Sequence, residues 1–264
     1  MNQTALITGA SGGIGYELAR IFAEHGYDLV LIARNEPALQ VYAAELSKHY
    51  PISAKVMGKD LSLPSAPFEI ADQLKRENIP VDILVNNAGA GLYGFFSETD
   101  LSLELKMLQL NIVALTALTK LMLAEMIKRR RGKILNVAST AAFQPGPLMS
   151  VYYASKAYVL SFSEALSCEL KGSGISVTAL CPGLTLTGFQ KNAGLSEVKL
   201  LKKWVMMDAG SVARAGFVGL MNGKSMVVTG FLNRILVFSV RLLPRNFITA
   251  VARFLQEKSS VRKT

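Results

Sequence analysis
Along the 264-residue chain, short apolar runs alternate with stretches in which apolar residues recur every three to four positions. The short runs fit buried strands, and the longer periodic stretches fit amphipathic helices. TALIT (4–8), DLVLIA (28–33), ISAKVM (52–57), DILVNN (82–87), GKILNVAS (132–139), ISVTAL (175–180) and SMVVT (225–229) predict seven strands. Helices are expected over 13–25, from the second strand to about 49, and over 64–77, roughly 101–130 and 151–171. Gly26 and Gly172 follow two of them, where glycine tolerates the turn that ends a helix.

Strands alternating with helices imply right-handed β-α-β units. The expected fold class is α/β, a Rossmann-type doubly wound parallel sheet of seven strands with helices on both faces. No repeat, linker or low-complexity segment divides the chain. Residues 1–230 read as one domain, with a lid at about 188–208, and 231–264 as a C-terminal helical extension.

Half of the residues are hydrophobic and the mean hydropathy is +0.31. A parallel sheet buried on both faces accounts for such a value; a membrane-surface segment is the rival explanation. No uninterrupted apolar run reaches membrane-spanning length. With no secretory pattern at the N-terminus, the cytoplasm is the expected location. Cys168 and Cys181 form no CxxC, and His25 and His49 both fall near predicted helix ends, so neither a disulfide framework nor a metal site is expected. The net charge of +10 favours anionic ligands or surfaces. Its densest cluster, KRRRGK at 128–133, ends a predicted helix, where cations suit the helix dipole. No aromatic interleaving accompanies it, so no nucleic-acid partner is expected.

The first strand leads into TGASGGIG (8–15), four of whose eight residues are glycine. Between a strand and a helix, missing side chains let the backbone approach a pyrophosphate, which the helix N-terminus then binds. Gly9, Gly13 and Gly15 give the spacing TGxxxGxG. Downstream follow DL at 60–61, NNAG at 86–89, Asn111, Ser139, YYASK at 152–156 and PGLTLT at 182–187. In this order, over about residues 3–230, the chain resembles the short-chain dehydrogenase/reductase family.

The resemblance implies a nicotinamide dinucleotide held by the glycine turn with Ser11 and Ile14. It gives Asp60 and Leu61 to the adenine, and Asn87, Ala88 and Gly89 to the adenosine. It gives Pro182, Gly183 and Thr187, with Thr185 as a weaker alternative, to the nicotinamide end. A carboxylate at the end of the second strand would chelate the ribose of NAD. Here that place holds Ala33, followed by Arg34 and Asn35. An arginine pairs with a 2′-phosphate through charge-assisted hydrogen bonds, so NADP(H) is the expected cofactor.

Tyr152 and Lys156 lie four apart on a predicted helix and share a face. A nearby ammonium favours the phenolate, which suits Tyr152 to general acid–base catalysis. Tyr153, three from Lys156, competes on spacing; the family's YxxxK pattern selects Tyr152. Ser139, past the fifth strand, can hydrogen-bond a substrate carbonyl. The resemblance adds Asn111, whose backbone carbonyl would hold a proton-relay water, and gives Lys156 the nicotinamide ribose.

The expected reaction is NADPH-dependent reduction of an apolar ketone or 3-oxoacyl group to an alcohol. Tyr93, Phe95, Phe143, Leu148 and Met149 are candidate lining, with Leu195, Leu200, Leu201, Trp204, Met206 and Met207 in the lid. The tail carries Arg234, Arg241, Arg245 and Arg253 through apolar sequence, with Pro244 separating two helices. Packing on the protein itself is favoured over weak contact with a membrane surface. The resemblance implies a homodimer or homotetramer through the helices around 101–130 and 151–171. A non-catalytic NADPH sensor or scaffold of the same fold would not need Asn111, Ser139, Tyr152 and Lys156 together. A nucleotide-sugar epimerase or dehydratase would resemble TGxxGxxG and carry a longer region after 190.

Overall fold
The computed structural model describes residues 2–195 and 206–257. The strands β1 (Thr4–Thr8), β2 (Asp28–Ala33), β3 (Ala54–Gly58), β4 (Ile83–Asn86), β5 (Gly132–Val137), β6 (Ile175–Cys181) and β9 (Met226–Val228) form one sheet in the order β3-β2-β1-β4-β5-β6-β9. Every pairing is parallel, and Ile7 of β1 sits level with Leu31 on one side and Val85 on the other. The fold is the expected Rossmann-type α/β architecture. Two short strands, β7 (Thr185–Leu186) and β8 (Met207–Asp208), pair apart from it.

Side chains alternate between the faces of a strand, and each face has its own core. Ala5, Ile7, Leu29, Leu31 and Leu180 pack against α1 (Gly13–Glu24), α2 (Glu36–His49) and α8 (Ala209–Met221). Leu6, Val30, Ile32, Leu84, Ile134 and Val177 pack against α3 (Ala66–Arg76), α5 (Leu115–Arg129) and α6 (Ser150–Glu169). Burial of each such Leu or Ile contributes about 1.5–3 kcal/mol. Two-sided burial explains why the strands read as near-continuous apolar runs.

The helix predicted over 101–130 is interrupted. It runs as α4 (Leu101–Leu108), a π-helical turn over Gln109–Ala114, and α5. By length and composition Leu101–Arg129 could cross a membrane. In the molecule, Leu118, Met122 and Met126 face the sheet as core. The basic cluster after it gains a specific anchor. Arg129 and Arg131 donate to the buried Asp82 carboxylate at 2.8 and 2.9 Å. Lys128 and Arg129 stand in the last turn of α5, as the helix-dipole reading expects, and Arg129 and Arg131 add ion pairing across the sheet's N-terminal edge.

His25 and His49 each place Nδ1 2.8 Å from a carbonyl four residues earlier. The tail forms α9 (Phe231–Val240) and α10 (Arg245–Gln256), with Pro244 between them. Leu200, Leu201 and Trp204 of the expected lid lie outside the described residues.

Candidate active site
The strand order reverses between β1 and β4, and the glycine turn stands at that crevice, where doubly wound sheets bind ligands. Thr8 and Asn87 join the two strand ends. The Thr8 hydroxyl accepts from the amides of Asn87 and Ala88 at 3.0 Å, and Asn87 Nδ2 donates to the Thr8 carbonyl at 2.9 Å. Gly9 has φ +66°, and a Cβ there would meet Asn87 Nδ2 at 2.8 Å and Ala88 Cα at 2.9 Å. At Gly15 a Cβ would strike the Gly9 carbonyl and Asn87 Nδ2. Both glycines are thus needed for strand–helix packing as well as for close approach of a ligand.

The N-terminus of α1 has no side-chain cap and no acidic residue in its first turn. Its free N–H groups and partial positive charge suit a pyrophosphate. Gly13, at φ +56°, lies under Thr187, whose methyl would be 2.8 Å from a Cβ there. Thr187 is therefore beside the helix N-terminus. Ser11 is exposed at the turn, whereas Ile14 packs against the core.

Arg34 is exposed just past β2, and its charge reaches Asp60. Burial opposes ionisation of Asp60. Hydrogen bonds from the Ser62 amide and hydroxyl, with Arg34 and Lys106, outweigh it and hold the carboxyl below its usual value. Three expected contacts are revised. Asn35 caps α2, its Oδ1 accepting from the Ala38 amide at 3.2 Å, so that oxygen is engaged in helix termination. The Leu61 side chain belongs to the core, which leaves only its backbone to face a ligand. Thr185 is buried and donates to the Gly183 carbonyl at 3.0 Å, so Thr187 is the better placed of the two.

Ser139, Tyr152 and Lys156 converge at the ends of β5 and α6. Lys156 is buried and donates to the Val137 carbonyl at 2.8 Å, with Nζ 5.9 Å from the centre of the Tyr152 ring. Ser139 caps a short 3-10 turn over Thr140–Phe143 through the Ala141 amide, and its hydroxyl donates to the Pro182 carbonyl at 3.5 Å. Burial pulls the Lys156 ammonium down to about 8. Burial also raises the Tyr152 phenol above its ordinary value, and the neighbouring Ser139 hydroxyl offsets only part of that. The expected acidification of Tyr152 by Lys156 is not found. Desolvation of both groups dominates, and Tyr152 is a neutral phenol at pH 7, a proton donor.

Tyr153 takes another direction. Its hydroxyl accepts from Gln256 Nε2 at 2.5 Å, while Tyr93 donates to the Gln256 carbonyl at 2.8 Å. Asn111, in the π turn, donates to the Ala90 carbonyl and to Ser155, and its Oδ1 accepts from the Ala90 amide. Its side chain thus fixes the loop after β4. A Cβ on Gly89 would lie 3.3 Å from Lys156 Nζ and 3.4 Å from Asn111 Oδ1, so these three positions are packed together. The Pro182 carbonyl accepts from the Thr140 amide at 2.9 Å, and Gly183 packs on Asn233 of α9.

Beside Tyr152 lies an apolar, aromatic wall of Tyr93, Met149, Phe189, Ala193 and Leu195. Of the other candidate lining, Phe143 packs in a separate cluster with Val237 and Val159, Phe95 is exposed, and Met207 packs against the α1–α8 core. Leu148 adopts φ +67° and its carbonyl accepts from Gly94. Gln256 escaped the sequence reading. Its only signal was a polar residue on the apolar Ile248–Ala252 face of a helix.

A dinucleotide crevice joined to a Ser-Tyr-Lys cluster defines an α/β oxidoreductase. The chain belongs to the short chain dehydrogenase family, whose model matches residues 3–198. It is 39% identical over 185 residues to 17-beta-hydroxysteroid dehydrogenase type 3 of Mus musculus, covering 69% of this chain and 60% of that protein. It is 34% identical over 193 residues to a very-long-chain 3-oxoacyl-CoA reductase of Anas platyrhynchos, covering 71% and 61%. The chain therefore aligns with about three-fifths of these relatives' length. A short-chain dehydrogenase from Sphingobium yanoikuyae, solved in complex with NADPH, superposes with a TM-score of 0.81 at 32% identity, covering 97% of this chain and 99% of that one.

Proposed function
We propose that this protein is an NADPH-dependent carbonyl reductase acting on bulky apolar ketones or 3-oxoacyl groups. The observation that carries the reading is Tyr152, a neutral phenol with the Lys156 ammonium 5.9 Å from its ring centre and an apolar wall beside it. The glycine cradle and uncapped α1 fit a dinucleotide, and exposed Arg34, next after the Ala33 that stands in the carboxylate's place, fits its 2′-phosphate.

When bound, the reduced nicotinamide supplies a hydride to the carbonyl carbon. The chain's own residues do the rest. Ser139 holds the carbonyl oxygen, and Tyr152 gives it a proton as negative charge develops there. Lys156 holds the ribose and steadies the phenolate left behind. Asn111 keeps the loop after β4 in place. The apolar side chains gathered beside Tyr152 support an apolar substrate over a small acid. The steroid and long-chain acyl chemistry named for the two relatives points the same way.

In this reading the protein is cytoplasmic and pairs with copies of itself through α4–α5 and α6, where Leu105, Val113 and Tyr158 are exposed. NADPH oxidation, followed optically over ketones of increasing chain length and 3-oxoacyl thioesters, tests the assignment. Activity rising with apolar bulk is expected. Inactivity on all of them would favour the non-catalytic sensor.

A further inference from the structure
Eleven of the twenty-four exposed large apolar side chains among the described residues fall between Phe231 and Leu255. Phe231, Leu232, Leu236, Phe238 and Leu242 are each more than 60% exposed, and on α9 only Val237 is buried. On α10, Ile248, Ala252 and Gln256 face inward, while Phe247 and Val251 form an outer stripe. Soluble monomers carry exposed large apolar side chains mostly singly, and such a concentration in one stretch marks an interaction surface. The expected packing of the tail on the protein therefore holds for its inner face alone.

Charge selects what covers the outer face. Residues 231–256 carry Arg234, Arg241, Arg245 and Arg253 and no acidic residue. Of these arginines only Arg253 forms an ion pair among the described residues, with Glu257 at 3.5 Å, while Arg234 donates to the Val228 carbonyl at 3.1 Å. A symmetric contact with a second copy would set this cationic face against itself, because the same patch meets its twin. An anionic surface complements it. Two of these arginines also border a cleft of about 360 Å³ at the sheet edge. Lys224, Arg234 and Arg241 stand around it with Val228, Val237 and Phe238 as apolar walls. Three cations beside apolar walls suit a phosphate carrying acyl chains.

We propose that α9 and α10 dock on an anionic lipid bilayer, with a phospholipid headgroup in the Lys224–Arg234–Arg241 cleft. Phe231, Leu236 and Phe247 enter the interface, and the arginines meet headgroup phosphates, each adding about fivefold to the binding constant. The inner face of α10 ends on Gln256 at the wall beside Tyr152. Resting on the function proposed above, docking brings the mouth of the pocket to the phase where apolar ketones dissolve.

The test is flotation of the full chain with vesicles of phosphatidylcholine alone or with about a third phosphatidylglycerol. Binding reads no catalysis, so it stands or falls apart from the enzymatic assignment. The expected result is flotation with the anionic vesicles, weakened by salt. It should fall more than tenfold in Leu236→Glu/Phe247→Glu and lose its anionic preference in Arg241→Glu. Both variants should retain lipid-free turnover of a water-soluble ketone. Two results would overturn the proposal: wild type that stays with the lipid-free fraction, or variants that float as well as wild type. Sedimentation of each protein without lipid gives a further reversal. A dimer that Leu236→Glu/Phe247→Glu splits, with no vesicle binding by wild type, would assign the face to a second copy.

Discussion
At the scale of single residues, the site is a contest between desolvation and charge. Lys156 is held near 8 although a free lysine titrates near 10.4. The folded state therefore binds this proton less tightly than the unfolded chain. The charged side chain costs stability below about pH 8, and the penalty fades as pH rises from about 8 to about 10. At pH 7 the shift corresponds to about 3 kcal/mol, less what the Val137 bond returns. Lys156→Met should abolish turnover and yet raise stability at pH 7 by about 1–2 kcal/mol in thermal melts. A lowered melting temperature would show that the ammonium is a structural asset. Arg34 offers a separate test. Its pairing with a 2′-phosphate is worth about 1.5–3 kcal/mol. Arg34→Ala should weaken NADPH about 10- to 100-fold, by fluorescence titration, and leave NADH nearly unchanged. An unaltered ratio would remove the basis for NADP selectivity.

At the scale of elements, what the chain needs is set by contacts distant in sequence. The π turn over Gln109–Ala114 interrupts a helix whose periodicity reads as continuous. Asn111 locks it to Ala90 and Ser155, and no local pattern announces those partners. The same is true of α10. Its amphipathic stripe is plain in the sequence, but the bond between Gln256 and Tyr153 spans 103 residues. Among the described residues the buried Oε1 of Gln256 has no partner. Gln256→Ala should free the Tyr153 hydroxyl while the main-chain carbonyl at 256 keeps Tyr93. Amide exchange across Arg245–Gln256 should quicken about tenfold, and Tyr153→Phe should have a similar effect. Unchanged protection of α10 would mean that its Ile248–Ala252 face alone holds it.

At the scale of the whole molecule, the seven strands were legible because a sheet buried on both faces leaves little room for polar residues. The crevice was legible too, because Gly9 and Gly15 occupy places where a Cβ would collide with backbone or Asn87. Asp82 was not, since its partners Arg129 and Arg131 come from across the sheet's edge. Nor was the cap formed by Asn35, which looked like a ligand contact because it follows Arg34. The fold supplies position, and the function proposed for it depends on whether the Tyr152 phenol transfers its proton. The most direct measurement is turnover and NADPH binding of Tyr152→Phe side by side. The account predicts NADPH affinity within a few-fold of wild type and ketone reduction slowed by about 10²–10⁴. Reduction at the wild-type rate would contradict it.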